Sequence, residues 1–296
     1  MLSLTEEPTV ALDCRNCLGE SIVWDDRARL LYWANIHDGE IWAWNPFAEK
    51  QPIVMKLPER IGALGLREQG GLTLALASGF ALFDPVSRSL ERLADVERDL
   101  PTTRLNDGRV GPDGRFLCGG MDEGSPQRPL SSLYSLGRDR TPRKLLGQIS
   151  CANSLCWSPD GAVMYFTDMP TRRIDKFDYD VATGVIANRG VFADLSDQPG
   201  SADGSITDAD GFLWNAQWGG SKLVRYRPDG SVEREVPLPV SNPTCLAFGG
   251  PDLDILFVTS AWFSLTEKQR AREPHAGSLF AFRPGVRGRA EPRYIG

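Results

Sequence analysis

SADGSITDADGFLWNAQWGG, residues 201–220, reads as a strand-turn-strand unit with an acid at its entrance. Asp203 precedes a short apolar run, Asp208-Ala209-Asp210-Gly211 supplies the turn, and FLWNAQW returns as a second strand of aromatic and apolar residues. The unit recurs along the chain. Setting Asp203 four residues before a strand end at Thr207 places Glu20 before Trp24, Asn106 before Val110 and Asn153 before Trp157, with weaker copies at Gly62 before Leu66 and Thr244 before Phe248. Most copies then enter a related turn, such as Pro112-Asp113-Gly114 or Ser158-Pro159-Asp160-Gly161. Self-similarity of this kind marks an architecture built from stacked or radial units.

Each unit continues into a third alternating strand, as in EIWAWNP (40–46), GFALFDP (79–85) and GSLFAFRPG (277–285). A fourth, outer strand follows in places, for example PIVMKL at 52–57. Helical periodicity is nearly absent, which excludes a doubly wound α/β fold. The reading is all-β: a six-bladed β-propeller of four-stranded antiparallel sheets around a central channel, with 1–296 as a single domain. Residues 8–13 form an extended segment with no partner in the first unit, so they are expected to complete the last sheet and tie the chain ends together. The one helix candidate follows Ser264, where Ser264 and Glu267 have capping-box spacing.

Composition narrows the function classes. A chain with 41% hydrophobic and 24% charged residues can bury a substantial core, which argues against disorder. There are 33 basic and 39 acidic residues, a net charge of −6, and the basic ones form no stripe, so nucleic acid is rejected as a partner. The start, MLSLTEEPTV, has acids where an export signal needs basic residues, and no apolar run reaches membrane-spanning length, so a cytoplasmic location without membrane contact is expected. The six cysteines are then expected to be reduced, and the pair Cys14 and Cys17 reads as ordinary thiols because no second C-x-x-C or histidine pair completes a zinc site.

In a propeller the innermost strands line the channel, so equivalent positions form a ring at one mouth. Glu20, Asn106, Asn153 and Asp203 put oxygen atoms there, with Thr244 as a possible fifth. Two carboxylates confined together repel each other unless a positive charge sits between them. A divalent cation meets that need, and carboxylate and amide oxygens suit Ca²⁺, Mg²⁺ or Mn²⁺, while Zn²⁺ and Fe²⁺ also accept carboxylates. His37 and His275 are the only histidines and neither falls on the ring. Arg104, two residues before Asn106, is placed near the same mouth for an anionic or polyhydroxyl ligand, and Asp107 is expected to fix the adjacent turn.

The segments LGES around Glu20, RLNDGRVGPDGRF from Arg104, CANSLCWSPDG around Asn153, SADGSITDADGFLW around Asp203 and FGGPDLDILFVTSA together resemble the SMP-30/gluconolactonase/regucalcin-like propellers over nearly the whole chain. NAQWGG and SNPTCLAFGG look most like bacterial aldonolactonases. The resemblance implies one divalent metal ion on Glu20, Asn153 and Asp203, and substrate contacts from Arg104 and Asn106. It also implies an acidic contact after the G-x-M segment, at Asp122 or Glu123, with Glu123 placed in the substrate site. The implied activity is hydrolysis of sugar lactones, of gluconolactonase, L-arabinonolactonase or galactonolactonase type, with a small-molecule substrate, a metal-polarised carbonyl and Asp203 as proton acceptor. No G-x-S-x-G elbow offers a serine nucleophile instead. Two other readings use the same residues: a phosphotriesterase-like hydrolase on this scaffold, or a calcium-binding propeller without turnover.

Overall fold

Strands in which both faces are apolar need sheets packed on either side, and a closed ring of sheets satisfies every one of them. The computed structural model describes residues 4–296, which form six four-stranded antiparallel sheets arranged as a six-bladed β-propeller. The first strand of each blade is Gly19–Asp25, Ile61–Leu66, Thr103–Val110, Ala152–Trp157, Ser201–Thr207 or Pro243–Gly249. Six apolar clusters hold the ring together, and each lies between neighbouring blades; Phe80 of blade 2 meets Phe116 of blade 3 edge-on, for instance, at 6.1 Å. The outer strands are sparsely buried: in Ile53–Lys56 only Met55 is buried. This polar rim explains why the sequence unit loses its pattern there.

The ring closes as expected. Thr9–Leu12 pairs antiparallel with Leu279–Phe282, Thr9 opposite Ala281 and Val10 opposite Phe280, so the last blade draws on both ends of the described chain. The expected helix spans Glu267–Arg272, but its capping box is Thr266 with Gln269. Ser264 adopts φ 69°, a left-handed conformation incompatible with the extended backbone of an N-cap. No helix among the described residues is long and apolar enough to cross a membrane.

Residues 287–295 lie across the end of the channel where the first strands terminate. Ala209 donates to Arg287 O, Gly288 to Leu253 O, Tyr294 to Leu66 O and Ile295 to Gly114 O, which joins this segment to blades 5, 6, 2 and 3. Beneath it Arg109 and Glu291 form a buried ion pair at 2.7 Å, and Arg109 also donates to Leu246 O at 3.0 Å. Removing one partner leaves a buried charge uncompensated, so Glu291→Ala is expected to lose about 3–5 kcal/mol of stability in denaturant titration. A loss below 1 kcal/mol would show that the pair contributes little.

Candidate active site

Each first strand has a break in its register at or beside the ring position: between Glu20 and Val23, Ile61 and Ala63, Leu105 and Asp107, Asn153 and Cys156, Ala202 and Ser205, and Pro243 and Leu246. A bulge takes a residue out of the ladder and re-aims its side chain, and repeated in every blade it shapes one mouth of the channel. The first strands are stitched together by side chains. Ser21 Oγ accepts from Leu64 N at 2.8 Å, Asn106 Nδ2 donates to Ala152 O at 2.9 Å, and Ser154 Oγ donates to Asp203 O at 2.5 Å.

Two ring positions leave the site. The hydroxyl of Thr244 donates to Gly19 O at 2.5 Å and bonds Thr259 Oγ1 at 2.9 Å, so it is committed to blade closure and is no fifth ligand. At Gly62 a Cβ would lie 2.3 Å from Leu105 O, because blades 2 and 3 approach too closely for a side chain. The remaining ring holds buried Glu20, Asn153 and Asp203 with half-buried Asn106.

Asp107 corrects a second expectation. It does not fix a turn; it is buried on the strand, and its Oδ2 accepts from Leu155 N of blade 4 at 3.0 Å. Its charge also acts on Glu20 and Asp203. Burial, then Asp107, pushes Glu20 up to about 8, against the pull of Ser21 N and Arg104. Burial, then Glu20 and Asp107, holds the carboxyl of Asp203 well above its usual range. Both oxygens of Asp203, Oε1 of Glu20 and Oδ1 of Asn153 accept no hydrogen bond among the described residues, and neither carboxylate forms an ion pair. Unpartnered oxygens on buried residues, themselves not sealed from the channel, fit a hard divalent cation. No three His, Cys, Asp or Glu side chains gather into a metal site among the described residues.

The polar clamp beside these acids is built on Arg104, which is 4% exposed and not a surface side chain. Its Nε donates to Glu123 Oε1 at 3.0 Å and its Nη1 to Asn106 Oδ1 at 2.7 Å and Leu105 O at 3.0 Å. Nη2 has no hydrogen bond to protein among the described residues, which leaves a donor for a ligand. Glu123 also takes a bidentate pair from Arg60, both contacts 2.7 Å. Asp122, the other acid considered, instead accepts from Gly124 N and Arg128 N and shapes the following loop. Arg60 was not singled out by its sequence context, since a lone arginine before a strand carries no signal.

Burial opposes the charge on Glu123, but hydrogen bonds from Arg60 and the charge and hydrogen bond of Arg104 outweigh it and hold the carboxyl down at about 2. A depressed carboxylate contributes stability above its ordinary value, near 4.5, that disappears as pH falls through about 2. Glu123→Gln is therefore expected to flatten this part of the acid-unfolding curve. An unchanged curve below pH 4.5 would contradict the ion-pair reading.

All six cysteines are free, as expected. Cys151 lies against the site, with Asn153 Nδ2 at 3.8 Å and Asn106 Nδ2 at 4.0 Å from Sγ. Burial, then Asp203, pushes its thiol up to about 12, which favours the neutral form.

A six-bladed ring with paired acids at one mouth defines a class, and the chain belongs to the family described as SMP-30/Gluconolactonase/LRE-like region, whose model matches residues 18–262. It is similar to L-arabinolactonase of Azospirillum brasilense, with 41% identity over 98% of this chain and 96% of the relative. It is also similar to 6-deoxy-6-sulfogluconolactonase of Pseudomonas putida, with 36% identity over 94% and 95% of the two chains. Among solved structures, a calcium-binding protein, regucalcin, of Agrobacterium tumefaciens superposes with a TM-score of 0.91 at 33% identity, covering 96% of each chain.

Proposed function

We propose that this chain is a divalent-cation-dependent hydrolase that opens the ring of sugar lactones to give aldonic acids. The observation that carries the reading is the pair of buried acids, Glu20 and Asp203, which together with the Asn153 amide present unsatisfied oxygens beside the Arg104–Asn106–Glu123 clamp. Relatives named as lactonases, at 41% and 36% identity along nearly the whole chain, support the choice of substrate.

Glu20, Asn153 and Asp203 hold the cation, which when bound supplies Lewis-acid polarisation of the ester carbonyl. Arg104 and Asn106 orient the ring hydroxyls, and Arg104 Nη2 is the donor left for substrate. Glu123 holds the guanidinium from behind and accepts a hydroxyl. Asp203 takes the proton of the attacking water at a carboxylate oxygen. The water oxygen bonds the carbonyl carbon, the acyl C–O bond to the ring oxygen breaks, and the ring oxygen takes the proton from Asp203 to become the sugar hydroxyl, which leaves a carboxylic acid and restores the base.

The test is acid release from a panel of pentono- and hexonolactones, using metal-stripped protein re-supplied separately with Ca²⁺, Mn²⁺, Zn²⁺, Mg²⁺ or Fe²⁺. Stripping is expected to lower the rate by about 10²-fold or more, and at least one ion should restore it. Cation binding with no turnover on any lactone would favour a binding protein, and turnover of an organophosphate instead would favour a phosphotriesterase.

A further inference from the structure

The bulge that frees Asp203 removes the sheet partners of two peptide groups. Ala202 pairs with Gln217 and Ser205 with Asn215, which leaves Asp203 and Gly204 outside the ladder. Both carbonyls lie within hydrogen-bond reach of the Asn215 side chain, whose Nδ2 is 3.1 Å from Asp203 O and 3.2 Å from Gly204 O, and also 2.9 Å from Ser205 Oγ. The same Nδ2 lies 3.2 Å from Ser154 Oγ, which itself donates to Asp203 O at 2.5 Å. Ser154 directly follows Asn153 and has φ 62°, so the hydroxyl that reaches across from blade 4 belongs to the turn of backbone that presents the amide ligand. The orientation of Asn215 is set from below by Gln217 Nε2, which donates to Asn215 Oδ1 and so keeps the NH₂ group toward the bulge. Asn215, Gln217 and Ser154 are fully buried.

We infer that Asn215, oriented by Gln217 and linked through Ser154, is a positioning residue for the cation site: it locks the peptides carrying Asn153 and Asp203 against each other across two blades. The inference rests on the proposed cation site. Among the described residues no other side chain donates to the Gly204 carbonyl, and the Ser154 hydroxyl is the one other side chain that donates to the Asp203 carbonyl. Outer-shell partners of this type tune metal affinity because they fix where the ligands stand.

The experiment is calorimetric titration of metal-stripped protein with Mn²⁺ and Ca²⁺, paired with the thermal midpoint of the metal-free protein, for the unsubstituted chain, Asn215→Ala and Ser154→Ala. Asn215→Ala is expected to weaken the cation Kd by about 10–100-fold, and Ser154→Ala by a smaller factor in the same direction. A purely structural role would lower the metal-free midpoint and leave Kd unchanged in whichever variant folds, and that result overturns the inference. Ser154→Ala, which loses a single hydroxyl, decides the matter if Asn215→Ala does not fold. Failure of the unsubstituted chain to bind either ion would overturn the cation site itself, which separates the two readings.

Discussion

Asp203→Asn is expected to lower kcat by about 10³-fold while the fold is retained. The substitution keeps the shape and one oxygen donor but removes the proton acceptor, and a positioned general base contributes roughly 10²–10⁴ in rate. It also removes a carboxyl whose charged form is opposed by burial and then by Glu20 and Asp107, so the metal-free protein should become more stable at neutral pH even as turnover falls. Opposite movement of stability and activity is the signature of a functional acid held at a structural cost. Steady-state kinetics at saturating cation, alongside thermal denaturation of the stripped protein, measure both. If Asp203→Asn retained the cation and full turnover, its assignment as base and ligand would be wrong.

Arg104→Lys is expected to reduce kcat/KM by about 10²-fold at saturating cation. Lysine keeps the positive charge, but its single ammonium cannot reach Glu123 from one side and Asn106 Oδ1 and Leu105 O from another, as Nε and Nη1 of the guanidinium do, while leaving another N–H for substrate. The loss is therefore one of geometry, and misplacement of about 1 Å in a substrate-orienting group costs that much. Asn106 would lose the contact that holds its Oδ1, so KM should rise together with the fall in kcat. An Arg104→Lys variant whose defect is confined to thermal stability would remove Arg104 from the substrate site. Arg60→Ala gives a useful contrast, since Arg60 reaches the site only through Glu123.

Much of this architecture is legible in the sequence because a propeller repeats its hardest constraints. The acid or amide four residues before a strand end, the aspartate-glycine turn and the alternating third strand recur, so register errors in one blade are corrected by the others. The closing strand at 8–13 was legible for the same reason: it had no partner in its own unit. What escaped depends on contacts between blades. Asp107 reads as a turn former next to Asn106, but the break in register at Leu105 carries it into the channel, where Leu155 N and the two acids define it. Thr244 sits in register with Glu20, Asn153 and Asp203, yet its short side chain finds Gly19 O of the neighbouring blade first. Arg104 is legible from its spacing to Asn106, but its burial under Glu123, nineteen residues on, is not. In NAQWGG the aromatic residues suggest a strand, but nothing local announces that the amides serve a bulge on the strand opposite. The helix cap moved by two residues because backbone conformation at Ser264, not residue type, decides which hydroxyl can cap.

The pairing of Thr9–Leu12 with Leu279–Phe282 has a kinetic consequence for the site. Contacts between residues so far apart in sequence are slow to form, since loop closure must precede any gain from pairing. Glu20 lies just beyond that closing strand, while Asn153 and Asp203 belong to blades 4 and 5, which can assemble among their neighbours beforehand. On the proposed cation site, the set of three donors would be complete only when the circle shuts. During refolding, capture of a cation would act as a timer for that last event, appearing after the sheets themselves have formed.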